Sequence, residues 1–234
     1  RESIGVSVPD LTALKIAKIT DSVFVGARSV AGDGFAGTFE WNSGDQSMNV
    51  ADDPLEGVWV TTAGDPTGLL GAWKRVFDGS VNVRWFGAVG DGATDDTFPI
   101  NVAGVLASKN VGTVFFPEGR YRVTDMVTKP KNVSWRGVDR TESVIYADAA
   151  FNLSASAVVK YAAGENSCGI FDLGIECYQD PATPDRASLI NYPRMLDLRA
   201  TPRFQLDRVR LAGGKTGADI TQNSGGGWIG RIET

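Results

Sequence analysis

The stretch MLDLRATPRFQLDRVRL, residues 195–211, recurs in altered form as GADITQNSGGGWIGRIET, residues 217–234. Written one above the other, Leu198 falls on Ile220, Leu206 on Ile229, Val209 on Ile232 and Leu211 on Thr234, an offset of 22 to 23 residues. An earlier copy, VVKYAAGENSCGIFDLGIEC (158–177), supplies Tyr161, Ile170, Leu173 and Ile175 at the same internal spacing. Between it and the next copy lies an insertion, YQDPATPDRASLINYPR (178–194), expected to be a loop. A period of about 22 residues made of short strands without a helix predicts a parallel β-helix, in which stacked coils turn like residues inward. Leucine-rich repeats share the period but carry an Asn or Cys ladder and a helical segment, and neither is present. The pattern favours a β-helix over a sandwich or barrel.

Working outward, TVFFPEGRYRV (113–123) and VSWRGV (133–138) read as earlier, less regular turns of the same coil, so residues 113–234 form the β-helix. Residues 81–112 form a connector: a strand VNVRWF, then a helix with Ile100, Ala103, Leu106 and Ala107 on one face, ended by Asn110 or Gly112. Pro99 is tolerated near the start of that helix, where backbone N–H groups have no intrahelical partner; Gly104 is expected to weaken it. Residues 1–80 hold short β-branched and aromatic runs, SVFVGA, GTFEW and GVWVTTA, bounded by turn signals such as AGDG and NSGD. They predict a small antiparallel β module, with a short helix in VPDLTALKIAK (8–18) capped by Asp10 or Thr12.

Composition narrows the chemistry. The 234 residues carry a net charge of −5 and 42% hydrophobic residues, a globular composition. The acidic balance argues against nucleic-acid binding and against an anionic membrane surface, and no apolar run reaches the length of a membrane span. Histidine is absent, so any mechanism resting on a histidine base or histidine-ligated zinc is excluded within this chain. Cys168 and Cys177 fit no zinc or redox spacing and read as small apolar side chains. No metal or cofactor is expected.

GAVGDGATDD (87–96) packs three glycines and three aspartates into ten residues. It lacks the Gly-Lys-Ser/Thr ending of a phosphate loop and the alternating acids and distal Glu of a calcium loop. The structural reading is the better one. Gly90 and Gly92 permit a tight turn, and Asp95 or Asp96 caps the helix that covers the open end of the coil.

Two motifs carry a resemblance. VNVRWFGAVGDGATDDTFPINVAGVLASKN followed by VGTVFFPEGRYRV (81–123) resembles the opening of the pectate-lyase-like right-handed β-helix superfamily. The preceding AGDGFAGTFEW, DDPLEGVWV and GAWKRVF resemble the small domain ahead of the β-helix in bacteriophage tailspikes and tail fibres. The resemblance implies a mainly β protein: a small N-terminal β module, one capping α-helix and a right-handed parallel β-helix. It also implies a homotrimer, attachment to other phage tail or baseplate proteins through N-terminal parts, location on the virion, and recognition of bacterial surface polysaccharide. Many such spikes also cleave that polysaccharide, by hydrolysis or lyase chemistry. The chain stops within a repeat and is expected to be the N-terminal part of a longer protein whose catalytic coils lie further on. A secreted bacterial polysaccharide lyase or glycosidase, and a purely structural tail protein, remain the alternatives.

The repeat stacks Asp172, Arg208 and Arg231 at one outward position and Gly174, Arg210 and Glu233 at the next but one. Such rows form either a solvated face of opposite charges, each pair contributing little, or a groove whose arginines grip carboxylates of an acidic sugar. Arg208, Arg210 and Arg231 are the candidate binding residues, with Trp228, after SGGG, as a sugar-stacking side chain. Asp172, Glu176, Asp207 and Glu233 are the candidate catalytic acids. A retaining pair needs carboxyls about 5 Å apart and an inverting pair roughly 6.5–9.5 Å. Adjacent coils lie about 4.8 Å apart, so spacing alone selects no pair. The other tryptophans, Trp41, Trp59, Trp73, Trp85 and Trp135, are expected in the core.

Overall fold

The computed structural model describes residues 6–18, 21–109, 112–164, 168–182, 186–221 and 226–233. Its larger part is a right-handed parallel β-helix with three ladders. The first stacks Val81–Asn82, Thr113–Phe116, Ser134–Gly137, the front half of Gly169–Cys177, the front half of Gln205–Ala212, and Trp228–Ile229. The second stacks Asp91–Asp95, Gly119–Val123, Ser143–Ala147, the rear halves of the same two long strands, and Ile232–Glu233. The third stacks Val127–Lys129, Ala157–Tyr161, Arg194–Asp197 and Ala218–Asp219. The repeat pairings appear directly: Ile170 on Leu206, Leu206 on Ile229, Leu173 on Val209, Val209 on Ile232 and Ile175 on Leu211. The Leu198 N–H donates to Asp219 O at 2.9 Å, which sets Leu198 above Ile220. Thr234, the expected partner of Leu211, lies outside the described residues.

Inward side chains make continuous rows. Val81, Val114, Trp135, Ile170 and Leu206 follow one another through five coils, each fully buried. Burying a side chain of this kind stabilises by roughly 1.5–3 kcal/mol, and each also shields its neighbours in the coils above and below. The rows do not alternate strictly. Leu206 and Val209 both point inward although three positions apart, because Arg208 between them adopts a left-handed backbone, φ 51°; Asp172 does the same one coil earlier, φ 54°. These residues are the corner where the first ladder turns into the second.

The helix Thr97–Lys109 closes the upper end, burying Ile100, Val102, Ala103, Leu106 and Ala107 in the same core as the coil rows. Gly104, expected only to weaken the helix, lets it lie close to the coil: a Cβ there would come 3.1 Å from Pro130 Cδ. The connector strand is shorter than predicted. Only Val81–Asn82 pairs; Val83–Phe86 is a 3₁₀ helix, started by Asn82 Oδ1 accepting the Arg84 N–H at 2.9 Å and ended by Gly87 at φ 91°.

The small module is a five-stranded sheet in the order Val6–Val8, Ser22–Val25, Gly37–Ser43, Gly71–Arg75, Trp59–Val60. It is mixed rather than purely antiparallel, because Val6–Val8 runs parallel to Ser22–Val25. The intervening helix Leu11–Ile16 crosses back over the sheet and is capped by Asp10, which accepts the Ala13 N–H at 2.8 Å. A further helix, Ser47–Asp52, escaped the sequence reading because it fully buries no side chain and so leaves no apolar period. Arg75 is buried beneath the sheet. It donates to Gly57 O and Phe35 O at 2.7 Å each, and its guanidinium lies 4.4–4.6 Å from the ring centroids of Phe35, Phe39 and Trp85. Val58, Trp59 and Ala72 of the module join the core that continues into the coils. Trp59, Trp73 and Trp135 are buried, while Trp41 packs edge-on against Trp73 and Trp85 against Phe77.

The insertion after Cys177 is closed at its base by one amide. Gln179 Oε1 accepts the Ile190 N–H at 2.9 Å, and Gln179 Nε2 donates to Ile190 O at 3.0 Å and Gly213 O at 2.7 Å.

Candidate functional site

In GAVGDGATDD each carboxylate is occupied by donors of the chain itself. Asp91 Oδ1 accepts the N–H groups of Ala93 and Thr94 at 2.8 and 2.7 Å. Asp95 caps the helix by accepting the Thr97 N–H at 3.0 Å, and its second oxygen accepts the Thr124 hydroxyl at 2.6 Å. Asp96 occupies the position before the helix, but its side chain turns away from it and accepts Val89 N–H at 2.8 Å and Gly90 N–H at 3.0 Å. Burial pushes the Asp96 carboxyl up to about 6 against the pull of those two bonds. Gly90 and Gly92 have φ 68° and 75°. At Gly90 the backbone also passes close to the Tyr121 ring, where a Cβ would come 3.0 Å from Cε1. The stretch is more than a turn: Asp91–Asp95 pairs with Gly119–Val123 as the first rung of the second ladder, with a bulge between.

The outward face of the coils carries the candidate site, and its corner holds Asp172, Asp207 and Arg208. Arg208 makes a bidentate pair with Asp172, with Nη2 to Oδ2 at 2.9 Å, and also pairs with Asp207. Arg136, from the coil before, reaches Asp172 at 3.4 Å. On the second ladder Glu176 lies between Arg120, at 2.6 Å, and Arg210. The Arg120 guanidinium stacks over Tyr146 at 3.7 Å from the ring centroid, and Arg122 pairs with Asp148 at 2.5 Å. Glu233 pairs with Arg140 at 2.6 Å, and that bond holds its carboxyl below the usual range. Arg231 gives its backbone N–H to Asp207 Oδ1 at 3.2 Å, and its side chain makes no ion pair among the described residues. Trp228, 53% exposed, sits outward in register with Gln205.

The four candidate acids thus each face at least one guanidinium. For Glu233, whose carboxyl Arg140 holds below the usual range, this runs against the raised pKa a general acid needs. The arrangement is suited to holding anionic groups on a rigid surface: arginines at coil spacing, an aromatic ring between them, and carboxylates that fix the guanidinium planes. Arg120, Arg122, Arg136, Arg140, Tyr146 and Asp148 complete this face and escaped the sequence reading. They stand in the early coils, where loops of unequal length hide the period. A second cluster lies on the third ladder, where Arg199 holds nearly buried Asp197 at 2.8–2.9 Å, and Arg194 bridges Asp197 and Asp219 at 3.6 and 3.3 Å. Burial raises the Asp197 pKa, but the Arg199 bonds outweigh it and leave the carboxyl below the usual range.

A parallel β-helix behind a small sheet, closed by one helix, is a fold that this chain shares with solved phage tailspike structures. Residues 80–175 match the family model described as rhamnogalacturonase A/epimerase, pectate lyase-like. Among solved structures, the chain is similar to the enzymatically active domain of tailspike protein 2 from bacteriophage CBA120, with a TM-score of 0.68 and 17% identity over 98% of this chain and 34% of that one. It is also similar to tailspike protein gp49, a capsular polysaccharide depolymerase from Acinetobacter baumannii bacteriophage Fri1, with a TM-score of 0.67 and 15% identity over 91% of this chain and 39% of that one. Alginate lyase 7 of Azotobacter vinelandii is 37% identical over 110 residues, 42% of this chain and 13% of the lyase. The chain therefore spans only a minor part of each relative's length.

Proposed function

We propose that this chain is part of a phage tailspike or tail fibre whose β-helix binds host surface polysaccharide and whose full-length protein degrades it. The supporting observation is that the small module and the coils recur together in tailspike structures, over 98% and 91% of this chain. On this reading residues 1–80 are an adaptor toward other tail or baseplate proteins, 81–112 the connector and 113–234 the start of the glycan-binding coils, and the working form is a homotrimer on the virion. Arg208, Arg210 and Arg231, joined by Arg120 and Tyr146, grip acidic sugar residues, and Trp228 stacks on a ring. The arginine pairing of Asp172, Glu176, Asp207 and Glu233 favours roles in orienting that face over roles in proton transfer. The likeness to alginate lyase 7 keeps a second reading in view, a secreted bacterial lyase or glycosidase.

Light scattering separates the two readings: a trimer is expected, and a monomer at working concentration favours the secreted enzyme. Glycan binding is tested by titrating an acidic and a neutral capsular polysaccharide. Tighter binding of the acidic one, weakened when Arg210 and Arg231 are changed to Ala, is expected; equal binding of both overturns the assignment of the arginines.

A further inference from the structure

The loop that begins at Arg28 in the small module faces the connector across a cavity of about 250 Å³, lined by Arg28, Asp33, Arg84, Gly87 and Val89 among others. One arginine from each part of the molecule lines it, Arg28 and Arg84. Arg28 is anchored through Nη1 to Trp85 O at 3.1 Å and through Nη2 to Leu55 O at 2.5 Å. Arg84 is anchored through Nη2 to Glu118 O at 2.7 Å, while its Nε–H is shut from solvent and has no hydrogen-bond partner among the described residues. The one carboxylate in the lining, Asp33, is taken up by its own loop. It accepts the N–H groups of Arg28, Ser29 and Val30 on one oxygen and of Phe35 on the other, at 2.9–3.2 Å. The backbone makes room for both cations: a Cβ at Gly34 would come 2.8 Å from Arg84 Cδ, and Gly87 turns at φ 91° beside Arg28. Both guanidiniums are held by backbone carbonyls and neither forms an ion pair among the described residues, although the charges of Glu56, Asp53 and Asp33 act on Arg28 from a distance.

We propose that this cavity binds a small oxyanion, the carboxylate of a sugar acid or an inorganic phosphate, between Arg28 and Arg84. The volume admits a single sugar-acid or phosphate unit, and guanidinium pairs bind such groups in bidentate fashion. The site is separate from the outward coil face and independent of the function proposed for it. An anion seated here would touch both the small module and the connector, so binding would oppose their separation.

The test is calorimetric titration of the full chain with sodium phosphate and with sodium glucuronate, at constant ionic strength, with glucose as the neutral control. Thermal melts run in parallel. Saturable binding of at least one anion, none of glucose, and a melting temperature raised by a few degrees at saturation are expected. The tighter of the two anions identifies the source of the ligand. Arg84→Met keeps the stem and removes the charge, and Ser29→Glu sets a competing carboxylate at the rim without removing a side-chain bond. Each is expected to weaken binding at least tenfold. If Arg84→Met fails to fold, Ser29→Glu decides. No saturation with either anion, or binding unchanged in Ser29→Glu, overturns the proposal.

Discussion

The small module and the coil stack use arginine in opposite ways. In the module, Arg75 lies under the sheet, 2% exposed, with its donors on carbonyls and its faces on three rings. On the coils, Arg120, Arg208 and Arg210 stand outside, 32–45% exposed at the side chain, and pair with carboxylates. A buried cation that satisfies several carbonyls fixes one geometry, and its loss leaves those carbonyls unpaired. Outward cations trade partners with solvent and contribute little to the fold. The module adds one specific buried cation to its apolar core of Leu14, Val23, Val25, Phe35, Phe39 and Trp73, whereas the coils rest on repeated apolar rows and carry their arginines outside.

The contrast can be broken at several points. Arg75→Met should be among the two costliest changes, about 3–5 kcal/mol, because the Phe35 and Gly57 carbonyls lose their donors. Chemical denaturation followed by fluorescence of the module tryptophans measures it; a loss under about 1 kcal/mol would remove Arg75 from its structural role. Trp135→Ala should cost about 3–5 kcal/mol as well, but by opening a cavity in the coil row, and should unfold the coils rather than the module.

Two buried ionisable groups sharpen the comparison with opposite signs. Burial lowers the Lys129 pKa to about 7, so its contribution is present at high pH and is lost as pH falls toward 7. Lys129→Met should therefore stabilise the protein relative to wild type below pH 7 by about 2–4 kcal/mol, an advantage that shrinks as pH rises toward 10. Asp96, raised to about 6, contributes stability at low pH that is lost as pH rises from about 4 through 6. Wild type measured against Asp96→Asn should show that decline in urea melts, and a flat difference would remove the raised pKa. The smallest effect is expected at the corner: Arg208→Ala should leave the denaturation midpoint nearly unchanged, and any difference should shrink further in high salt.

The repeat was legible between 195–211 and 217–234 because those copies are offset by 22 to 23 residues, and in 158–177 through the same internal spacing. It faded toward the front, where Val114 and Trp135 are 21 apart but Trp135 and Ile170 are 35 apart. Loops at the corners absorb those differences without disturbing the ladder, so backbone register survives where sequence period does not. Arg120 and Tyr146 were missed for that reason, although Tyr146 lies one coil before Glu176 in the same row and Arg120 belongs to the row of Gly174, Arg210 and Glu233. The left-handed corners at Asp172 and Arg208 were invisible for another reason. The sequence signal for positive φ is glycine or asparagine, and here a charge pair across coils stabilises the bend instead. Asp96 was read as a helix cap because its position is right for one; which way a side chain turns depends on the loop at Val89 and Gly90, which no local pattern encodes.

Gln179 has a consequence for how such a surface changes over time. One side-chain amide clamps the neck of the insertion between Cys177 and Arg194 and ties it to the coil beyond through Gly213. The ladder on either side is thereby insulated from whatever the loop contains. A lineage could lengthen, shorten or replace residues 180–189 while the coil continued undisturbed. The corner is then a cassette site, where new contact surface can be exchanged against a constant frame.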